Sequence, residues 1–256
     1  MAVKLIVCVL AGLGAGVGTG LAGLSAAAVI SPMLITFLGF SAYEAVAIAL
    51  ASDVLASAAS AYTYGKHGNL DVKSGSVMLA VVLALTLVGS LAAFQMPDSA
   101  MSSFSILMTL VLGIRFLLCP VTAPRALFPH AGRALRIAQS VVCGVVIGFI
   151  CGFVGAGGGM MMLLVFTSVL GYELKTALGT SVFIMAFTAL TGAASHAAIG
   201  GGMDLFALAV CAAATLAGAQ VSAAFANRAQ PKALNRVTGA VLTSLGAVML
   251  MVHFFS

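Results

Sequence analysis

Residues 151–162 have the sequence CGFVGAGGGMMM, a cluster of glycines in the middle of a long apolar run. The run extends from 138 to 170 without a charged residue. At about 1.5 Å per residue, an unbroken helix of that length would reach roughly 50 Å, well beyond a hydrocarbon core of about 30 Å. Because glycine costs about 1 kcal/mol per position inside a helix, we expect the run to break into two short helices at a glycine corner.

A second run of the same kind occupies residues 5–38, and the two halves of the chain match position by position. An offset of 132 aligns Gly20, Gly23, Gly39 and Ala45 with Gly152, Gly155, Gly171 and Ala177. One inserted residue then aligns Gly68, Asp71 and Gly113 with Gly201, Asp204 and Gly246. The pattern predicts an internal repeat, with a first membrane repeat at 1–118, a linker at 119–137 and a second membrane repeat at 138–256.

The composition is that of a polytopic membrane protein. Of 256 residues, 62% are hydrophobic and only 7% are charged, and the mean hydropathy is +1.21. A soluble domain has about a quarter of its residues charged. The net charge of +5 comes from cations in the loops between apolar spans. These cations therefore indicate orientation in a lipid bilayer, and we expect no nucleic-acid partner.

The predicted fold is all-α, with ten helical segments arranged as two five-segment halves. Because five is odd, the halves must lie upside-down relative to each other, whether the short segments cross the membrane fully or form re-entrant hairpins. Counting crossings places ten of the eleven basic residues on one face and only Lys4 on the other. By the positive-inside rule, the linker is then cytoplasmic and both termini are outside.

Inverted repeats with glycine-interrupted short segments are typical of secondary transporters, whose sites lie near the midplane between the halves. The second short helix of each half begins at the corner, so its free N–H groups and positive dipole end point into the protein. Such ends can bind an anion without a basic side chain. The predicted substrate-binding residues at these starts are Ser25, Ala26, Gly157, Gly158 and Gly159. The alternative is that the glycines only allow close helix packing.

Hydroxyl groups follow each corner in the next span. Ser52 in the first half and Thr180 and Ser181 in the second could complete the coordination of an oxyanion. Serine and threonine in membrane helices also often bond back to their own carbonyl groups, which is the alternative for each of them.

Two titratable residues are candidates for coupling transport to protons. Asp53 is the only carboxylate near the middle of a predicted span, and an acid inside the membrane indicates function by default. A charged carboxylate beside an anionic substrate is unfavourable, so we expect Asp53 to be protonated in part of the cycle. The alternative for Asp53 is a hydrogen bond between helices. His196, at the outer end of its span, is the second candidate because histidine titrates near neutral pH.

These motifs together resemble the TauE/SafE sulfite exporter (sulfonate permease) family. The resemblance rests on the duplicated glycine corner, the Gly-Phe or Gly-Tyr pair, the Gly-Thr-Ser run and the Gly-x-x-Asp loop, and is strongest at 152–181 and 200–204. It implies transport of sulfite, sulfonates, sulfoacetate-like or other small organic anions across the inner membrane, coupled to the proton gradient. The first half departs from the pattern, since Ile48-Ala49 stands where the second half has Thr180-Ser181.

The sequence predicts no catalytic residue, no cofactor and no metal site. The five cysteines lack CxxC spacing, and no nucleophile–base pair occurs. The expected function is therefore a secondary transporter that moves a small anion by alternating access. A passive anion channel and a non-catalytic membrane subunit remain open, as do substrate, direction, coupling ion and oligomeric state, a homodimer included.

Overall fold

A computed structural model describes residues 1–118, 133–155, 158–200 and 202–228 continuously, then residue 230 and scattered residues between 233 and 251. Within these residues there are nine bounded α-helices and no strand: α1 Ala2–Ala22, α2 Ala27–Leu38, α3 Ala42–Lys66, α4 Val72–Phe94, α5 Asp98–Leu118, α6 Arg133–Val154, α7 Gly158–Ser168, α8 Leu174–Gly200 and α9 Leu205–Ala226. The described residues between 233 and 251, where the sequence predicts the tenth segment, are all helical. The all-α prediction is confirmed.

Among the residues that the structure describes, six helices are long and apolar enough to cross a membrane. They cover Ala2–Ala22, Ala42–Lys66, Gly75–Phe94, Ala134–Phe153, Leu174–Ile199 and Leu205–Ala226. By contrast, α2 has 12 residues and α7 has 11, so neither exceeds about 18 Å in length. The two short helices cannot cross a core of about 30 Å by themselves.

Both long apolar runs break where the glycines predict. The first break separates α1 from α2, and the second separates α6 from α7. Gly23 (φ 63°) and Gly155 (φ 71°) each occupy the left-handed region just after the longer helix. Only glycine adopts this conformation without a steric cost from its side chain, which explains why both corners carry it.

Three helix pairs make the most extensive contacts: α1 with α9, α4 with α6, and α3 with α8. The first two pairs are parallel, since Gly12 and Gly20 meet Ala214 and Ser222, and Gly144 and Gly152 meet Val81 and Thr86, whereas α3 and α8 are antiparallel. Glycines let the backbones touch in the first two pairs. A Cβ atom on Gly16 would lie 2.2 Å from the Thr215 carbonyl oxygen, and one on Gly152 would lie 2.0 Å from the Thr86 carbonyl oxygen. Small-residue seams of this kind are how membrane helices pack closely.

The predicted linker at 119–137 lies mostly outside the described residues, and its last part is helical because α6 begins at Arg133. On the outer surface of the bundle, large apolar side chains are exposed on several helices, including Ile6 and Leu10 on α1 and Val142 and Val146 on α6. Exposed apolar faces of this kind are expected where a helix contacts lipid.

Candidate functional site

The first corner is closed by hydrogen bonds within the protein. The Gly23 N–H donates to the Thr19 carbonyl oxygen (2.9 Å), which ends α1. Ser25 and Ala26 follow, both buried. The Ala27 N–H donates to the Ser25 hydroxyl oxygen at 3.3 Å. One of the backbone N–H groups at the start of α2 therefore already has a partner within the protein.

The second corner lies directly against the first. The Ser25 hydroxyl donates to the Gly155 carbonyl oxygen across the interface between the halves, at 2.8 Å. Gly158 and Gly159 begin α7 and are buried, whereas Gly157 lies outside the described residues. A Cβ atom on Gly159 would stand only 2.0 Å from the Gly23 carbonyl oxygen. The corners therefore meet inside the protein, and neither faces outward.

Asp53 occupies the positive end of α2. Its Oδ2 accepts the Ala26 N–H at 3.0 Å, and its Oδ1 accepts the Ser57 hydroxyl at 2.8 Å. The residue is fully buried and is the only aspartate or glutamate among the buried described residues. The positive end of α2 is therefore already occupied by the protein's own carboxylate, and substrate binding by Ser25 and Ala26 stays a prediction.

The predicted hydroxyl groups are not all gathered at the corners. Ser181 lies against Gly23, with its oxygen 2.9 Å from the position of an added Cβ atom, while its hydroxyl donates to the Leu178 carbonyl oxygen. Ser52 donates to the Ile48 carbonyl oxygen of its own helix. Thr180 instead accepts the Asp71 N–H (3.1 Å), just before α4. Substrate binding by Ser52, Thr180 and Ser181 stays a prediction.

His196 contacts the chain three residues before the second corner and is not part of the corner itself. Its Nε2 is 3.0 Å from the Gly152 carbonyl oxygen, in the last turn of α6. Tyr64 does the same in the first half, where its hydroxyl donates to the Gly20 carbonyl oxygen (3.0 Å). We did not single out Tyr64 from the sequence, although the repeat offset of 132 aligns it with His196.

The chemistry available at the corners is that of backbone amides, the Ser25 and Ser57 hydroxyl groups and one carboxylate. The buried described residues around them include neither lysine nor arginine. A small anion at this position would therefore be held by N–H groups and a helix dipole, in competition with Asp53. The described residues contain no group of three side chains suited to a metal ion.

The end of the bundle that carries Lys4, Glu44 and Asp204, here called the Lys4 face, is polar. The Lys4 ammonium group pairs with Asp204 Oδ2. Asp204 Oδ1 accepts the Ala207 N–H at 2.9 Å and so caps α9, and the Asp204 N–H donates to Glu44 Oε1 at 3.1 Å. Lys4 and then the Ala207 N–H hold the pKa of the Asp204 carboxyl group below its ordinary value.

We predict that Asp204→Asn lowers the free energy of unfolding at neutral pH but not at acidic pH. A lowered pKa contributes stability that is present above the ordinary aspartate value of about 4 and is lost as the pH falls through the folded value. Asparagine caps a helix nearly as well as aspartate, so the variant removes mainly the ion pair, worth up to about 1 kcal/mol. Thermal unfolding in detergent should show a wild-type advantage at pH 7 that shrinks below pH 4. An advantage that does not change with pH would contradict the prediction.

Comparisons with known proteins cover almost the whole chain. The family model described as "Sulfite exporter TauE/SafE" matches residues 8–249. "Probable membrane transporter protein YunE" of Bacillus subtilis (strain 168) is 26% identical over 271 residues, which cover 98% of this chain and 99% of the relative. "Probable membrane transporter protein YdhB" of the same organism is 48% identical over 50 residues, 20% of each chain. No solved structure matches the chain significantly.

Proposed function

The chain belongs to the TauE/SafE sulfite exporter family of membrane transporters, and from this premise we propose that it moves a small sulfur-containing or other organic anion by proton-coupled alternating access. It is a multi-pass membrane protein of a transporter family and not an enzyme. The substrate class proposed is sulfite, a sulfonate or a sulfoacetate-like anion, carried across the inner membrane.

The observation that carries the proposal is the bond from the Ala26 N–H to the Asp53 carboxylate. Two anions at one buried helix end repel each other strongly, because the local dielectric is low. Protonating Asp53 weakens its hold on the Ala26 N–H, which is then free to bind the substrate anion. Release of the substrate lets Asp53 ionise and take back the N–H group. One proton is thereby bound with each anion and released with it.

Alternating access requires two halves that can move against each other, and we propose that they are inverted repeats. The helix pairing supports this, since α1 with α9 and α6 with α4 are equivalent under the repeat offset. Equivalent details support it too. Gly23 corresponds to Gly155 in the left-handed region, and Tyr64 corresponds to His196 in its bond to a carbonyl oxygen. The Ser25–Gly155 bond joins the halves at the corners.

We further propose that the Lys4 face is external and that the opposite end of the bundle is cytoplasmic. Lys66 at the end of α3 and Lys175 at the start of α8 lie at that opposite end, while Lys4 begins α1. This distribution follows the positive-inside rule.

The test is uphill flux in proteoliposomes that contain the full chain. With labelled sulfite at equal concentration on both sides, imposing a pH gradient should drive net accumulation, and a protonophore should abolish it. Sulfite that only equilibrates, at a rate independent of the gradient, would reject proton coupling and indicate a passive channel. An absence of flux with every anion tested, including methanesulfonate and sulfoacetate, would reject transport.

A further inference from the structure

Two residues at equivalent positions of the halves do the same structural task with different chemistry. Tyr64 and His196 each bond, at 3.0 Å, to the carbonyl oxygen three residues before a corner glycine. A tyrosine hydroxyl keeps its proton at neutral pH, because its ordinary pKa is about 10. A histidine ring can gain a second proton near neutral pH. The two ends of the molecule therefore differ in their potential response to protons.

The unused nitrogen of His196 is buried without a hydrogen-bond partner. The side chain is 1% exposed, and Nδ1 makes no hydrogen bond among the described residues. Because a carbonyl oxygen only accepts, Nε2 must carry the proton of the neutral ring, which leaves a lone pair on Nδ1. The Tyr43 ring stacks on the imidazole with centroids 4.2 Å apart, and the Tyr43 backbone also faces it.

His196 also lines a cavity that opens on the Lys4 face. The cavity has a volume of about 700 Å³, and its lining includes Tyr43, Glu44 and Asp204. Lys4 neutralises Asp204, which leaves Glu44 as an acidic group without an opposite charge among the described ion pairs. A cleft lined by negative charge raises the local concentration of cations, protons included.

The titratable groups around His196 come from four elements. They are Tyr43 and Glu44 on α3, Asp204 before α9, Lys4 on α1 and Cys151, next to Gly152, on α6. Ala93 and Phe94 of α4 and Met96, just after that helix, also line the cavity and carry no charge.

We propose that Nδ1 of His196 is a proton-binding site that is loaded from the cavity on the Lys4 face. The proposal rests on the proposed transport function and adds a second proton site to Asp53. The proton comes from the solution on that face and forms an N–H bond with the Nδ1 lone pair. The imidazolium then donates from both nitrogens, to Gly152 on α6 and to the backbone carbonyl of Tyr43 on α3. This second bond ties the two halves together and favours closure of the cavity.

The repeat itself provides the decisive variants. His196→Tyr places at this position the residue that the first half uses, so it keeps a donor to the Gly152 carbonyl oxygen and removes the titration. His196→Gln keeps an N–H donor at the ε position and removes the acceptor at Nδ1. Tyr64→Phe is the matched control, since it removes the equivalent carbonyl bond far from the cavity. Tyr64→His is the reciprocal variant, which brings a titratable ring to the opposite face.

The measurement is sulfite flux in oriented proteoliposomes as the pH is varied on one face at a time. Wild type and Tyr64→Phe should follow one titration of the pH on the Lys4 face, changing about tenfold between one pH unit below and one above the midpoint. His196→Tyr and His196→Gln should lose this titration and keep only the pH dependence that Asp53 confers, and Tyr64→His should gain a dependence on the pH of the opposite face. Unchanged pH profiles in both His196 variants would overturn the proposal while leaving transport established. Wild-type vesicles without any flux would instead reject the proposed function.

Discussion

Replacing Asp53 with asparagine is expected to abolish anion accumulation driven by a pH gradient while sparing exchange of labelled for unlabelled anion. Asp53 is the only buried carboxylate among the described residues, and its partner is the backbone at the start of α2. An amide neither gains nor loses a proton in the physiological range, so the variant cannot couple proton movement to substrate binding. Exchange without a gradient needs only the binding site and the conformational change.

The substitution should leave the corner folded, because asparagine can make the same two contacts. Its Oδ1 can accept the Ala26 N–H, now 3.0 Å from the carboxylate, and its Nδ2 can donate to the Ser57 hydroxyl oxygen. The charge-assisted bonds become neutral ones, which costs about 1 kcal/mol. Thermal unfolding in detergent should therefore show a small loss of stability, measured alongside the loss of driven uptake.

Ser57→Ala is the matched control for Asp53→Asn. It removes one hydrogen bond, to Asp53 Oδ1, and keeps the titratable carboxyl group. Driven uptake should be retained, with at most a shift of its pH dependence. Driven uptake that is unchanged in Asp53→Asn would remove Asp53 from the coupling mechanism. Loss of both driven uptake and exchange in a well-folded protein would instead assign Asp53 to substrate binding or to the conformational change.

The backbone features of the site could be predicted from the sequence because they depend on residue type and spacing alone. A charge-free run too long for one membrane span must break or tilt, and clustered glycines mark the position of the break. Gly23 and Gly155 confirm this at both corners. Glycines also allow close helix packing, the alternative that the sequence leaves open, and Gly16 and Gly152 do so.

The side-chain partners could not be predicted, because they depend on how each helix is rotated about its axis. Adjacent helical residues point about 100° apart, so Ser181 faces the first corner while Thr180 contacts the chain before α4. The bond between Asp53 and the Ala26 N–H joins two helices whose relative rotation is set by tertiary packing. Tyr64 could have been found from the repeat alignment, since it occupies the position equivalent to His196.

The second large effect is expected from Gly159→Ala, which should stop transport by forcing the two corners apart. The added Cβ atom would lie 2.0 Å from the Gly23 carbonyl oxygen and 3.1 Å from the Gly23 carbonyl carbon. Both are backbone atoms of a residue held by its own bond to Thr19, so a rotamer change cannot relieve the overlap. Overpacking of this kind costs about 1–3 kcal/mol, and alanine regains about 1 kcal/mol of helix propensity. The folded state should therefore survive, with its corners displaced and sulfite exchange lost.

Two variants separate displacement of the corners from a general effect of the added methyl group. Gly14→Ala puts a Cβ atom 3.6 Å from Val29 Cγ1, an ordinary contact, so its flux should match wild type. Its unfolding temperature should equal or slightly exceed that of wild type, because alanine favours a helix more than glycine does. Ser25→Ala adds no atom and removes the two bonds of the hydroxyl group, to the Gly155 carbonyl oxygen and from the Ala27 N–H, so it should weaken exchange less than Gly159→Ala does. If Gly159→Ala exchanges sulfite as fast as Gly14→Ala, the close contact between the corners is not needed for transport. The anion would then have to bind elsewhere, because a site formed by both helix starts cannot tolerate their separation.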